Sequence, residues 1–218
     1  SLGVYGIVLA GYAARSKYPL LGGLRSGAQM IAYEIAMGLS VIPLFLLVGD
    51  LNLSAVIDYQ AHGLFGWLIF KQPLAFAVFL AAAFAETNRL PFDLPEAEQE
   101  LAGGYNVEYS SMKFALFFMA EYAHMIAASA MLVTLFFGGW TLPFFGLDQP
   151  ASTVWGGLLH MAIFLAKLVA LMVLFIWVRW MWPRFRYDQL MALGWKRLVP
   201  LALANIVFTA SWLWLKAA

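Results

Sequence analysis

The sequence predicts an all-α bundle of transmembrane helices, and three observations predict it. Of 218 residues, 63% are hydrophobic and 11% charged, with mean hydropathy +0.79, against roughly 45–50% apolar in a soluble domain. The apolar runs reach about 20 residues, the length that crosses a hydrocarbon core of about 30 Å, and alternate too little for barrel strands. Glycine, proline or charge bounds each run. About five full spans and a partial N-terminal one fit this length as a single transmembrane domain over residues 1–218.

The opening SLGVYGIVLAGYAA, residues 1–14, would rise only about 21 Å as a helix. It lacks a starting Met, a basic leading region and a polar cleavage site, and reads as the tail of a span whose start precedes the sequence. Further helices are predicted at 26–48, 68–88, 110–137, 157–181 and 198–216. With loops numbered alternately, one side receives Arg15, Lys17, Arg25, Arg89, Lys113, Arg179, Arg184, Arg186, Lys196 and Arg197. The other receives Lys71 and Lys216, and Lys167 falls within a span. That ten-to-two division places the first side, with its acidic loop 89–108, in the cytoplasm. Trp67, Trp140, Trp155 and Trp212 belt one interface; Trp177, Trp180, Trp182 and Trp195 belt the other.

A net charge of +1 with no basic patch points away from nucleic acid. With no cysteine, the chain can hold neither a disulfide, a thiolate-bound iron–sulfur cluster nor a c-type haem. The histidines do not suggest a metal. His62 is in a loop, and His124 and His160 differ in depth by about 15 Å, so they cannot be paired axial haem ligands. Glu121 and His124 have the Glu-x-x-His spacing of di-iron sites, but the second such motif is missing.

Buried charge is the more telling signal. Glu34 and Glu121 lie roughly 13 to 17 Å below the cytoplasmic surface, Glu86 ends its helix, and Lys167 is near the middle of its span. A carboxylate that deep costs about 2.5 to 3.5 kcal/mol unless it faces a polar cavity or a partner. Two readings stand: an ion pair such as Glu121 with Lys167, or a proton path through acids that exchange protons near neutral pH. Three glutamates on three helices exceed what one lysine can neutralise. His124 is a candidate relay member beside Glu121.

The stretch ETNRLPFDLPEAEQEL, residues 86–101, gathers five carboxylates and one arginine. Pro91 and Pro95 stop the helix there. Leu90, Phe92, Leu94, Leu101 and Tyr105 are threaded among the acids, a pattern that suits burial beneath another protein.

From 86 to 122 the chain reads ETNRLPFDLPEAEQELAGGYNVEYSSMKFALFFMAEY, and this resembles the signature of the heel-subunit family of respiratory complex I, the H subunit of bacterial NADH:quinone oxidoreductases. SKYPLLGGLRSGAQMIAYEIAMGLS (16–40) and PRFRYDQLMALGWKRLVPLAL (183–203) resemble two further family blocks in the expected order. The resemblance implies a multi-pass subunit of the bacterial inner membrane that forms the membrane side of the quinone chamber and couples quinone reduction to proton translocation. It implies quinone as substrate, no cofactor on this chain, and FMN and iron–sulfur clusters in partner subunits. Peripheral-arm and neighbouring membrane subunits and lipid are the implied partners. By motif position, Glu34, Glu86 and Glu121 are the relay acids. Arg89, Asp93, Glu96, Glu98, Glu100 and Glu108 are the coupling-loop residues, and Tyr33, Arg25, His124 and Lys167 are further candidates. The family has additional N-terminal helices, so quinone entrance is not assigned to residues here. Three alternatives remain open on the residues: the equivalent subunit of a membrane hydrogenase or formate-linked complex, an ion-coupled transporter, which should show inverted repeats and broken helices, and a structural anchor.

Overall fold

Glycine sets the first helix packing. In the computed structural model, which describes residues 2–61, 66–88, 91–93, 104–106, 108–142 and 153–217, helix α1 (Leu2–Ala13) lies on the first half of α2 (Lys17–Val48). A Cβ on Gly11 would stand 2.6 Å from the Pro19 carbonyl oxygen, and one on Gly23 would stand 3.1 Å from that of Ile7. The Gly23-x-x-x-Gly27 spacing is thus the seam between two helices whose backbones nearly touch.

Helix α2 starts at Lys17, not at 26. Pro19 sits in its first turn, where a missing N–H costs nothing, and Gly22 and Gly23 are buried under neighbours rather than breaking the helix. Its 32 residues rise about 48 Å, so Lys17 and Arg25 extend past the apolar slab. Gly49, at φ +78°, closes the helix by donating its N–H to Phe45 O at 2.8 Å. A short helix that the sequence reading did not predict follows, α3 (Leu53–Gln60), with Asn52 Oδ1 accepting from the Ser54 N–H.

The predicted span 68–88 is broken. It consists of α4 (Leu68–Lys71) and α5 (Pro73–Glu86), separated at Gln72 (φ −134°, ψ 60°). Pro73 has no N–H to continue α4 but is well suited to start a helix, so the break falls between them. The backbone of Gln72 bonds to either side, its N–H donating to Leu68 O and its carbonyl accepting from the Phe76 N–H, while its side chain is held by the last helix: Gln72 Nε2 donates to Thr209 Oγ1 (3.0 Å), and Asn205 Nδ2 donates to Gln72 Oε1 (3.1 Å).

Helix α6 (Ser111–Phe136) and α7 (Val154–Met181) agree with prediction to within three residues. The last predicted span is longer than expected: α8 (Tyr187–Leu193) runs through a π-turn, Gly194–Leu198, into α9 (Val199–Ala217). Pro200 removes a helical N–H here, and the Val199 N–H instead reaches back five residues to Gly194 O.

Among the described residues, four stretches are long and apolar enough to cross a membrane: α2, α6, α7 and the continuous run 187–216. Helices α1 and α5 are apolar but shorter, at 12 and 14 residues. The core is built from Tyr33, Leu44, Phe79, Leu132, Phe136 and Phe175, with Phe84 and Phe175 rings 4.1 Å apart. Large apolar side chains are equally plentiful outside: Leu165, Val173, Trp177 and Trp180 on α7, and Val207, Phe208 and Trp214 on α9, are exposed. A chain that is apolar inside and outside is a membrane protein.

Candidate functional site: a carboxylate-lined cavity at the end of α5

Helix α5 stops deep in the bundle. Glu86, its last residue, brings Oε1 to 3.5 Å from His124 Nε2, and His124 is thirteen residues into α6. At 1.5 Å per residue this places the end of α5 about 20 Å along α6. Asn88 turns the chain in the left-handed region at φ +50°, which asparagine tolerates better than most residues. Thr87 Oγ1 donates to Phe84 O at 3.1 Å.

Around that turn lies a cavity of about 330 Å³, and Glu34 from α2, Glu86 from α5, and Glu121 and His124 from α6 all line it. Thr87 and Asn88 complete the polar wall; Met30, Tyr105 and Phe117 supply the apolar one. Glu121 and His124 share a face because three residues make most of one turn. Three carboxyl groups and an imidazole from three helices thus face one partly open cavity, large enough for several waters. Such a set can hold, share and pass protons.

The structure separates the other sequence candidates. Tyr33 is fully buried but on a different face of α2, its hydroxyl donating to Leu190 O at 2.9 Å and its ring 5.9 Å from that of Phe92. Asp93 is held by Arg184, Oδ2 to Nη2 at 3.1 Å. The same segments are joined by Phe185 N–H to Pro91 O (3.1 Å) and by stacked Phe92 and Phe185 rings at 5.5 Å. Two of the sequence blocks, 86–122 and 183–203, therefore meet physically. Arg25 lies over the Tyr187 ring at 5.6 Å, which brings in the third block. Glu108 is exposed and does not line the cavity. Arg89, Glu96, Glu98 and Glu100 lie outside the described residues.

Lys167 does not pair with Glu121. Its ammonium donates to the carbonyl oxygens of Phe137 (2.7 Å), Gly139 (3.0 Å) and Thr141 (2.6 Å) and sits 4.8 Å over the Trp67 ring. Phe137 is sixteen residues beyond Glu121, about 24 Å along the helix. The ends of helices carry unbonded carbonyls and partial negative charge, and α6 attracts the lysine there. His160 is at the same end as Lys167, its Nδ1 at 3.3 Å from Trp140 O, far from His124.

Sequence reasoning missed Gln29. It is fully buried in α2, and its Nε2 donates to Ala85 O (2.8 Å) and Phe92 O (2.9 Å), with Asn88 Oδ1 at 3.4 Å. The only available signal was an amide within an apolar run.

Residues 1–210 match the family described as NADH dehydrogenase. The chain belongs to the NADH dehydrogenase family. Among its relatives in this family, it is 54% identical over 217 residues to NADH-quinone oxidoreductase subunit 8 of Rhodothermus marinus, covering 96% of this chain and 64% of the relative. It is 53% identical over 209 residues to H subunit 1 of the NADH-quinone oxidoreductase of Geobacter sulfurreducens (96% and 56%). It is also 54% identical over 217 residues to the H subunit of the NADH-quinone oxidoreductase of Deinococcus radiodurans (97% and 53%). The chain thus spans between 53% and 64% of the length of these NADH dehydrogenase family members.

Proposed function

We propose that this chain is the H-type membrane subunit of an NADH:quinone oxidoreductase in a bacterial inner membrane, that it forms the membrane side of the quinone chamber, and that it couples quinone reduction to proton translocation. The observation that carries this reading is the cavity in which Glu34, Glu86, Glu121 and His124 meet. The names of relatives more than 50% identical, subunit 8 and the H subunit of NADH-quinone oxidoreductases, support the same assembly. In this reading α4 and α5 act together as one crossing, the arginine-rich end faces the cytoplasm, and the chain works as one transmembrane unit. Flavin and iron–sulfur chemistry belongs to partner subunits of the peripheral arm.

Reducing a quinone to a quinol takes two electrons and two protons, so the chamber gains negative charge until protons arrive. At about 6 Å and an effective dielectric near 20, one new charge is worth roughly 2 to 3 kcal/mol to a neighbouring carboxyl, enough to change its protonation. Glu86 would respond first because its turn leads directly to Asp93 and the 183–186 segment. Its proton would be shared with His124 and passed to Glu121 and Glu34. Arg89, Asp93, Glu96, Glu98, Glu100 and Glu108 would carry the charge signal on the coupling loop.

Glutamine variants test this. Glutamine keeps the shape and hydrogen bonding of glutamate but cannot titrate. Glu34→Gln, Glu86→Gln and Glu121→Gln should each assemble with normal subunit content yet lose most proton pumping in the same membranes. Full pumping in all three would refute the relay.

A further inference from the structure

We infer that Gln29 is the positioning residue that sets Glu86 within the carboxylate cavity and ties its place to the 91–93 segment; this rests on the relay reading above. Three acceptors surround its carboxamide nitrogen. Ala85 O precedes Glu86, Phe92 O precedes Asp93, and Asn88 Oδ1 belongs to the left-handed turn between them. A single side chain on α2 therefore grips both ends of the turn. The Ala85 carbonyl, one of the last of α5, accepts from backbone N–H groups of the turn, Asn88 N at 3.4 Å among them, and Gln29 adds a shorter bond from another helix.

The orientation of the amide is forced. Flipped, its oxygen would point at two carbonyl oxygens, so Nε2 must face Ala85 and Phe92. Oε1 then finds no hydrogen-bond partner among the described residues, nor does the buried Ser26 Oγ one turn earlier. A carboxamide kept fully buried with its acceptor end unused is kept for its two N–H donors. A leucine or methionine would fill the space as well but would remove the bonds that tie Ala85 O and Phe92 O to α2. The far end of the grip is itself anchored: Pro91 O accepts from Phe185 N–H, and Asp93 is bound to Arg184. Displacement of the 183–186 segment is thus relayed through Phe92 O and Gln29 to the residue beside Glu86.

Gln29→Met preserves length and removes both donors. In membranes containing the whole complex, this variant should assemble and reduce quinone, pump protons about tenfold less well, and shift the pH profile of pumping by about one unit. Amide hydrogen exchange of the peptide 86–93 should quicken. Gln29→Glu supplies a second test, because a protonated carboxyl donates one bond and an ionised one donates none, so its pumping should fall more steeply with rising pH than the parent's. Should Gln29→Met fail to assemble, this profile alone decides. Glu86→Gln is measured alongside. If Glu86→Gln loses pumping while both Gln29 variants keep the parent's pH profile, the positioning role is wrong and the relay stands. If Glu86→Gln pumps normally, Glu86 is no part of the relay and the positioning role fails with it.

Discussion

Among the described residues, α6 meets one polar cluster at its middle and another at its C-terminal end, and they are built on different plans. At the far end, Lys167 spends its charge on three carbonyl oxygens and one indole face. Beside it Gln60 uses both ends of its amide: Nε2 donates to Val56 O and Thr134 O, and Oε1 accepts from the N–H groups of Leu68 and Gly138. In the near cluster, beside the middle of α6, Glu34, Glu86, Glu121 and His124 surround open volume. The first cluster joins α3, α4, α6 and α7 by hydrogen bonds from side chains to backbone groups. The second gathers more titratable groups than a structural knot requires, around a space that water can fill. Charge within an apolar protein is structural where the backbone saturates it and available for chemistry where a cavity does.

The largest expected effect breaks the first plan. Lys167→Met strands three carbonyl oxygens and should cost about 3 kcal/mol of stability, since charge-assisted hydrogen bonds are each worth roughly 1.5–3 kcal/mol net. Thermal unfolding of the purified complex would show it. Adding Glu121→Gln should rescue nothing, because sites this far apart act independently. Rescue would restore the ion pair that the geometry excludes. Gln60→Leu should cost somewhat less, about 2 kcal/mol, because its four bonds are to neutral groups. Proton pumping by the surviving complex should be unchanged. Lost pumping without lost stability in Gln60→Leu would erase the distinction between the two clusters.

Helix existence was legible because long apolar runs dominate the chain. The break at Gln72 was not: a hydropathy window averages across it, and the residues that hold the Gln72 side chain there, Asn205 and Thr209, are far along the sequence. The extra length of α2 was hidden by Gly22 and Gly23, which resemble a stop but serve close packing. Within the site, counting charges found the three glutamates, and Glu-x-x-His found His124 as a neighbour of Glu121. Its partner in the structure is Glu86, since α5 ends deeper than a surface loop suggests. Counting charges also suggested pairing Lys167 with an acid, whereas the carbonyls of a helix end hold it. Gln29 escaped because an uncharged amide barely alters hydropathy, although its bonds define the turn that carries Glu86.

The central claim is that the acids of the near cluster change protonation with the quinone reaction. Infrared difference spectra of the reduced-minus-oxidised complex read this directly, since a protonated carboxyl has its own C=O stretch. The account predicts a carboxyl band that disappears or shifts in Glu86→Gln, with related changes in Glu34→Gln and Glu121→Gln, and that persists in Gln60→Leu. A spectrum identical in all three glutamine variants and the parent would contradict it.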